Sequence, residues 1–481
     1  MTQSNDINSL RQIGYENLTN FSIPLPSSSQ SERVFQCSKT TRCLPGKRIS
    51  CIGQWQGETV FAKFFIAPNR AKIHWQKELK GFQRLGEQKI LAPKMLHSGK
   101  HQQDEIYFIL YEFIENATDL KPVWENAKPP QQLSLLKQLI NTIAEHHKQG
   151  LIQQDLHLNN FLIANHQFYT LDGADITAID CNDKQIAFNN LALLFAQLYP
   201  SNDHNIEVGL QDYCKLRDWP FSQSVLNLVK STTLKMRDNR KLDRLAKTKR
   251  SCSLFFYQQT WNQQTICARK YRSAEMQTFL NAPDSYIKQA NLLKDGNTCT
   301  VAIVTIDNVE MVVKRYNIKN WQHAFGRAFR PSRAVNSWVN AHLLQFYGIP
   351  TPEPVAVIEK RWGALRKEAY FVTKLISGET GDLYFNSDKN SLEEKQSLAG
   401  LTVKLLKSIH ALNISHGDLK ITNIMISDSH PVIIDLDSMK QHRSQYFFNK
   451  AKTRDIKRFF KNWQNNPVLT NVFQTYFNTL K

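Results

Sequence analysis

The chain has 481 residues, too many for one ordinary hydrophobic core, so two domains are expected. Hydrophobic residues make up 41% of the chain and aromatic residues 11%, a composition that excludes a largely disordered protein. The formal net charge of +19 favours anionic partners, such as phosphate groups, an anionic membrane surface or nucleic acid, although charge can also serve solubility alone.

The cysteine pattern and the hydropathy of the chain indicate in which cellular compartment the protein is expected. The eight cysteines are scattered without a Cys-x-x-Cys pair, which argues against a zinc site and against a disulfide scaffold. The first 20 residues are polar and lack the apolar core of a signal peptide. No apolar stretch approaches the roughly 18–20 residues that span a bilayer. We therefore expect a reduced, cytoplasmic protein that is at most peripheral to a membrane.

The chain begins with a polar leader, which we place at residues 1–30. Strand-like patterns on both sides of the dipeptide Gln56-Gly57 then predict a β-hairpin. Lys63 lies in the second strand of this hairpin between apolar neighbours. An isolated lysine at such a position commonly faces water, so its role depends on the motifs found later in the chain.

Two acidic residues come after the hairpin, one within a predicted helix and one just after a predicted strand. Helical spacing over residues 74–85 places Glu78 on the next element. A buried strand is predicted over residues 106–111, and it leads into Glu112, where a hinge between two lobes is expected.

The next motif begins at Asp155. Asn160 follows five residues later, and an apolar strand ends at Asp172, 17 residues after Asp155. This is the layout of a kinase catalytic loop. Asp155 is suited to accept the proton of an attacking hydroxyl, and Asn160 and Asp172 supply the oxygen ligands that Mg²⁺ prefers.

This layout assigns roles to the earlier residues. A kinase needs a lysine on a rigid strand to hold the α- and β-phosphates of ATP, and Lys63 is placed for that task. Glu78 lies where the ion-pair partner of that lysine belongs. The backbone at Glu112 is then the candidate contact for adenine.

The first domain is predicted to cover residues 31–250. Its last stretch, residues 235–250, is strongly basic, and it is either a solvated helix face or a contact for phosphorylated substrate or lipid headgroups. It lacks the interleaved aromatic residues of single-stranded nucleic-acid grooves, so no nucleic-acid partner is expected. We interpret residues 251–285 as a connector.

The second domain is predicted over residues 286–481, and it also opens with a hairpin. Lys314 lies in the hairpin's second strand and corresponds to Lys63. The turn before the hairpin is a candidate phosphate-covering turn, formed by Asp295, Gly296, Asn297 and Thr298.

A second catalytic-loop motif lies in this domain. Asn423 lies five residues after Asp418, and an apolar strand ends at Asp435, 17 residues after Asp418. A histidine precedes each catalytic aspartate by eight residues, as His147 and His410. The repeated offsets indicate an internal duplication. By the same chemistry, Asp418 is the candidate base, and Asn423 and Asp435 are candidate Mg²⁺ ligands.

The second domain resembles the bacterial lipopolysaccharide core kinases, the Kdo and heptose kinase family of protein-kinase-like fold. The resemblance is carried by these motifs: Leu293–Asn297, Val313–Asn317, Gly348–Pro352, and His416–Asp418 through Asp435–Asp437. It implies an α+β fold of two tandem bilobal protein-kinase-like domains, each with an antiparallel-sheet N-lobe and a mainly helical C-lobe. The first domain looks like a more diverged relative.

The resemblance also implies ATP and Mg²⁺, and a sugar hydroxyl of lipid A–core as the acceptor. Two positions depart from the family pattern. Gln153 replaces the histidine that would brace the first catalytic loop, and the helix predicted over residues 334–347 has no glutamate to pair with Lys314. A regulatory pseudokinase therefore stays an alternative for either domain.

These observations favour an ATP-dependent kinase that phosphorylates a heptose or Kdo hydroxyl of the lipopolysaccharide inner core, at the inner face of the cytoplasmic membrane. One alternative is a protein kinase acting on Ser, Thr or Tyr, because the same core serves both acceptors. The other is a non-catalytic scaffold, in which one or both domains bind nucleotide or partner without transfer.

Overall fold

The computed structural model describes residues 10–11, 20–26, 32–101, 105–317, 331–363 and 365–479. The chain divides into two compact units, Met1–Arg240 and Lys241–Lys481. Both units combine helices with antiparallel sheets, and this mixed composition agrees with the predicted α+β class.

The first unit contains eleven strands among the described residues, together with six helices of the α type. The strands are β1 (Ser22–Pro26), β2 (Glu32–Leu44), β3 (Arg48–Trp55), β4 (Glu58–Phe65), β5 (Met95–Lys100), β6 (Tyr107–Glu112), β7 (Thr118–Asp119), β8 (Leu151–Gln153), β9 (Phe161–Ala164), β10 (Gln167–Thr170) and β11 (Ile176–Ala178). The helices are α1 (Ala71–Glu87), α2 (Leu120–Asn126), α3 (Pro129–Lys148), α4 (Lys184–Gln197), α5 (Ile206–Leu216) and α6 (Gln223–Lys247), the last of which extends past Arg240.

Strands β1 to β6 form one sheet in the order β1-β2-β3-β4-β6-β5. Alternation along β4 buries Val60, Ala62 and Phe64 on one face. Lys63 therefore lies on the opposite face, against which α1 packs through Phe82 and neighbouring apolar residues. The pleat thus determines which side of the sheet carries the lysine.

Helix α1 also touches the turn after Asp172. A Cβ atom on Gly81 would lie 1.7 Å from the carbonyl oxygen of Gly173, so only glycine permits this approach. The contact fixes α1, and with it Glu78, beside the end of the strand that leads to Asp172.

The predicted polar leader differs from the structure in part. β1 lies within residues 1–30 and pairs with β2. Its segment is ordered in the sheet because Phe21, Ile23 and Leu25 are buried and alternate with half-buried positions. Most of the remaining predicted leader lies outside the described residues.

The helical part of the first unit comes after the sheet in the chain. Helix α3 buries Leu136, Ile140 and Ile143 at helical spacing, and these side chains pack with α4 and α5 in one apolar core. The catalytic-loop motif begins directly after β8, on the edge of this core.

The second unit has strands β12 (Phe255–Gln259), β13 (Gln263–Ala268), β14 (Asn291–Gly296), β15 (Cys299–Ile306), β16 (Val309–Tyr316), β17 (Pro354–Trp362), β18 (Leu365–Lys374), β19 (Glu379–Thr380), β20 (Ile414–Ser415), β21 (Ile424–Ser427), β22 (His430–Ile433) and β23 (Lys440–Gln441). Its helices are α7 (Ala274–Asn281), α8 (Pro283–Gln289), α9 (Arg333–Phe346), α10 (Gly381–Asn386), α11 (Leu392–Ala411), α12 (Gln445–Phe460) and α13 (Pro467–Thr479).

The large sheet of the second unit has the order β12-β13-β17-β18-β16-β15-β14. Residues 251–285, predicted as a connector, therefore differ from that interpretation, because β12 and β13 are two strands of this sheet. Helices α7 and α8 pack on the sheet through Met276, Phe279 and Ile287. The segment is part of the folded unit, since its apolar side chains complete one face of the sheet.

No helix within the described ranges is long and apolar enough to cross a membrane.

Candidate active site

In the first unit the structure brings together Lys63, Glu78 and Asp172. The Nζ atom of Lys63 pairs with Oε1 of Glu78 and lies 3.3 Å from Oδ1 of Asp172. Glu78 is fully buried, and it also accepts hydrogen bonds from the Tyr111 hydroxyl and the Ala174 amide, each at 3.2 Å. The helix glutamate thus links the strand lysine to the backbone just after Asp172.

Asp172 has a left-handed backbone conformation, with φ at 63°, and Asp435 has the same conformation, with φ at 59°. Burial alone would raise the pKa of Asp172, but the positive charges of Lys63 and Arg48 outweigh it and hold the pKa well below its ordinary value. Arg48 lies at the start of β3, 3.6 Å from the Asp172 carboxylate. The sequence analysis did not identify this arginine.

In the second unit Lys314 pairs with Asp435 at 2.5 Å. The carboxylate that the helix lacks is supplied by Asp437, whose Oδ2 atom lies 3.7 Å from Lys314 and 2.6 Å from Arg333. The Asp437 side chain is 4% exposed. Its signal in the sequence is the second aspartate of Asp435-Leu436-Asp437, two residues beyond the predicted metal ligand.

The pKa of Asp435 is governed by the same physics as that of Asp172. Burial would raise it, but the adjacent Lys314 ammonium, which also donates a hydrogen bond, lowers it below its ordinary value. Both candidate metal aspartates are therefore ionised at neutral pH.

The two catalytic loops are closed by equivalent hydrogen bonds. The Asn160 side-chain amide donates to the Asp155 carbonyl at 2.8 Å, and the Asn423 amide donates to the Asp418 carbonyl at 2.8 Å. The residue before each metal aspartate donates its backbone N–H back to the asparagine carbonyl, at 2.8 Å in the first unit and 3.0 Å in the second. Each asparagine thus joins its catalytic loop to its metal-ligand strand.

Gln153 performs the bracing contact that His416 performs in the second unit. The Gln153 amide donates to the Leu171 carbonyl at 2.7 Å, and Nε2 of His416 lies 3.0 Å from the Ile434 carbonyl. In both units the carbonyl group that receives this contact belongs to the residue just before the candidate metal aspartate. The replacement noted in the sequence therefore preserves the contact.

The two candidate bases differ in their surroundings. The Asp155 side chain is 65% exposed and lies 3.6 Å from Nε2 of His157. The Asp418 side chain is 30% exposed and is flanked by two cations, Arg458 at 2.6 Å and Lys420 at 3.2 Å. Asp418 therefore has more positively charged side chains within ion-pair distance than Asp155 has.

Different residues anchor the two catalytic loops to the next long helix. Buried Asp455 on α12 accepts hydrogen bonds from the His416 amide at 2.7 Å and the Gly417 amide at 3.0 Å. In the first unit Asn190 on α4 instead donates to the Gln153 carbonyl at 2.8 Å. Neither anchor was found in the sequence analysis, because each acts across a long sequence separation.

The predicted hinge and turn residues lie at strand ends. The Glu112 amide donates to the Lys94 carbonyl at 2.9 Å, and the Glu112 carboxylate accepts from the Lys94 amide at 2.8 Å. In the second unit the Asn317 amide donates to the Gly296 carbonyl at 3.0 Å, which ties the turn to the strand that carries Lys314. Within the same turn region, Thr300 donates to Asp295 at 3.3 Å.

The donor chemistry of both sites fits Mg²⁺. Each asparagine uses its amide nitrogen within the loop, which leaves the side-chain oxygen as a ligand, and each aspartate is ionised. No cluster of three or more His, Cys, Asp or Glu ligands occurs in the described part of the chain. Two protein oxygens completed by phosphates and water are the usual environment of Mg²⁺ in nucleotide sites.

A strand lysine paired with an aspartate, and a loop joined to that aspartate by an asparagine, form the arrangement with which kinases hold Mg-ATP. Residues 286–473, less than half of the chain, match the family model described as the Lipopolysaccharide kinase (Kdo/WaaP) family. This part of the chain is similar to that family, and the match confirms the resemblance carried by its motifs. No curated protein has a detectable match to the chain.

Proposed function

We propose that the second unit transfers the γ-phosphoryl group of ATP to a sugar hydroxyl of the lipopolysaccharide inner core, a heptose or Kdo. The family match supports a lipopolysaccharide kinase. The observation that carries the residue assignment is the ion pair between Lys314 and Asp435 at 2.5 Å. Asp435 directly follows Ile434, whose backbone Asn423 joins to the Asp418 loop.

In this proposal Asp418 accepts the proton of the acceptor hydroxyl. The hydroxyl oxygen forms a bond to the γ-phosphorus, the bond from that phosphorus to the β–γ bridging oxygen breaks, and ADP leaves. Lys314 holds the α- and β-phosphates. Asn423 and Asp435 would hold Mg²⁺, which would supply positive charge to neutralise the phosphates.

Asp437 and Asp455 position these groups without contacting the substrate. Asp437 holds Lys314 and Arg333 from within the buried loop. Asp455 accepts hydrogen bonds from the backbone amides of His416 and Gly417, the two residues just before Asp418. The catalytic base therefore stands on a loop fixed at one end by α12 and at the other by Asn423.

We further propose that the first unit is a second kinase-like unit, with Asp155 as base, Asn160 and Asp172 as Mg²⁺ ligands and Lys63 on the phosphates. The complete Lys63–Glu78 pair and the loop contacts shared with the second unit support this assignment. In both units a bilobal arrangement would place ATP between the sheet and the helical part, with adenine near Glu112 in the first and phosphates under Asp295–Thr298 in the second.

The acceptor is a phosphorylated glycolipid that lies in the inner leaflet before export, so we propose that the protein works in the cytoplasm, peripherally at the inner face of the cytoplasmic membrane. The excess of positive charge supports contact with such an anionic surface.

The test compares purified wild type with Asp155→Asn, Asp418→Asn and the double variant, using γ-labelled ATP and lipid A–core. Loss of the base lowers transfer by about 10²–10⁴-fold in a working unit. Asp428→Asn, at an exposed loop position of the second unit, is the matched control and should keep the wild-type rate.

The site of the label separates the alternatives. Label on the glycolipid supports the proposal, whereas label on added polypeptide indicates a protein kinase. If both single variants and the double variant transfer phosphate at the wild-type rate, a catalytic role for these aspartates is excluded.

A further inference from the structure

A strongly basic cleft lies beside the catalytic loop of the second unit. The segment 438–461 contains eight lysine or arginine residues and one acidic residue, Asp455. The cleft has a volume of about 630 Å³ and is lined by Gly417 of the catalytic loop together with cations of β23 and α12. Those cations are Lys440, Lys450, Arg454, Lys457, Arg458 and Lys461.

Most of this positive charge is not neutralised within the protein. Among the described residues, Lys440, Lys450, Arg454, Lys457 and Lys461 make no ion pair with an acidic side chain. Asp455 lies between them in sequence, but it is buried and accepts its hydrogen bonds from the backbone of the catalytic loop. Unpaired cations around a concave surface raise the local concentration of anionic ligands.

Arg458 connects the cleft with the catalytic base. Its Nη1 atom lies 2.6 Å from Oδ1 of Asp418 and 3.2 Å from the Gly417 carbonyl, while its side chain also lines the cleft. A carboxylate oxygen held by a guanidinium is a poorer acceptor for a hydroxyl proton, because that oxygen already accepts a charge-assisted hydrogen bond.

The first unit provides an internal comparison. Its corresponding segment, residues 175–198, contains three acidic residues, Asp175, Asp180 and Asp183, and a single cation, Lys184. A helix anchored to the catalytic loop therefore does not require a basic face. The basic face of α12 is therefore a feature of the second unit that the anchoring contact does not explain.

We propose that this cleft binds a phosphomonoester already present on the acceptor of the second unit, and that the phosphate withdraws Arg458 from Asp418. The inference rests on the proposed function and deepens it. Arginine binds phosphate through paired N–H groups, so a phosphate in the cleft competes directly with the single contact to the aspartate. The Asp418 carboxylate then loses its guanidinium partner only when a phosphorylated acceptor is in place, while Lys420 remains beside it.

The cleft favours a phosphorylated sugar over a flat lipid surface. It is concave, it adjoins the loop that carries Asp418, and Phe447 at its edge is 62% exposed, offering an apolar contact for a sugar ring. A contact with a flat bilayer needs neither the concavity nor the position beside the Asp418 loop. We therefore assign the phosphate to the acceptor molecule.

The experiment measures transfer to lipid A–core before and after phosphatase treatment that removes its phosphomonoesters. The variants are Arg454→Gln and Lys457→Gln. Each should raise KM for the untreated acceptor about tenfold, the loss expected for one charge-assisted contact, and leave KM for ATP unchanged. Lys452→Gln is the matched control, because Lys452 belongs to the same helix but lines a different cavity.

Arg458→Gln tests the coupling to the base. Wild type should have a kcat tenfold or more higher with the untreated acceptor, and Arg458→Gln should reduce this difference in kcat to about twofold or less by raising kcat with the treated acceptor. The preference in KM should remain in Arg458→Gln, because Arg454 and Lys457 still line the cleft. A merely structural arginine would lower both rates together. Anionic phospholipid vesicles added to the treated acceptor should not restore the wild-type rate.

Equal kcat/KM for treated and untreated acceptor, or variants indistinguishable from wild type, would overturn the inference while leaving the kinase proposal intact. Restoration by vesicles would assign the cleft to the membrane and also overturn it. If wild type transfers phosphate to neither acceptor, the kinase proposal fails. The inference is then judged by equilibrium binding, in which the untreated acceptor alone must bind and Lys457→Gln must weaken that binding.

Discussion

Replacing Asp437 by asparagine should destabilise the second unit and weaken its hold on ATP. The substitution keeps the size of the side chain and removes its charge from a position 4% exposed. Removing one partner of a buried ion pair destabilises proteins by about 3–5 kcal/mol. Here Arg333 is 42% exposed and can be hydrated, and Lys314 keeps its contact with Asp435.

We therefore expect a loss of about 2–3 kcal/mol, at or just below the lower limit of that range. For a unit of this size, each kcal/mol lowers Tm by about 2–4 °C, so the melting temperature should fall by about 4–12 °C. Lys314 would be left with Asp435 as its carboxylate partner, so KM for ATP should rise by about tenfold.

Differential scanning calorimetry and ATP-dependent kinetics check both effects, with Asp428→Asn as the control for the loss of one exposed charge. A melting temperature within 1 °C of wild type, together with an unchanged KM for ATP, would refute the reasoning. It would mean that Asp437 does not serve as the partner that the helix lacks.

Three further predictions concern the first unit. Glu78→Gln should lower its stability by about 3 kcal/mol, measured by urea unfolding, whereas Glu87→Gln on the exposed part of the same helix should have no effect. Gln153→Ala should cost about 1–3 kcal/mol by leaving the Leu171 carbonyl unpaired, and Gln153→His should recover most of it; equal losses would contradict the bracing role. Burial lowers the pKa of His146 to about 4, against 6.5 in the unfolded chain, so the unfolded state binds more protons between these values. Stability should therefore be full above pH 6.5 and fall towards pH 4, and the slope of urea midpoints against pH should be smaller in His146→Gln.

The features of the candidate site that can be read from the sequence are local. Asp418, Asn423 and Asp435 lie within 18 residues, and the offsets among them reflect one loop and one hairpin. The alternation that turns Lys314 away from the buried face of β16 is likewise readable over a few residues. Such signals need no knowledge of the rest of the fold.

The features that were missed depend on contacts across long sequence separations. β13 pairs with β17 about 90 residues later, and nothing in Gln263–Ala268 itself indicates that partner. Asp455 anchors the loop 38 residues before it, and a lone aspartate on a basic helix gives no sign of this role. Only the folded chain shows which distant groups meet.

Gln153 shows a different limit. Its residue type predicts the loss of a brace, because a glutamine stands where the family pattern has a histidine. The contact requires only a donor that reaches the carbonyl of Leu171, and an amide can supply it as well as an imidazole. Residue type is therefore a weaker guide to this loop than hydrogen-bonding capacity.

The two units as a whole also keep some interactions while the residues that make them change. Each strand lysine keeps a buried carboxylate beside it, although the carboxylate comes from a different element. Glu78 on helix α1 serves Lys63, and Asp437 in the loop after β22 serves Lys314. In the segments that follow the two catalytic loops, which our proposal places at the acceptor, the charges themselves change. Residues 175–198 have three acids and one cation, whereas residues 438–461 have eight cations and one acid. Electrostatics at the phosphate end constrain any ATP-dependent transfer, whereas those at the acceptor end reflect what is phosphorylated. If both units transfer phosphate, we therefore expect them to handle ATP alike and to take acceptors of different charge.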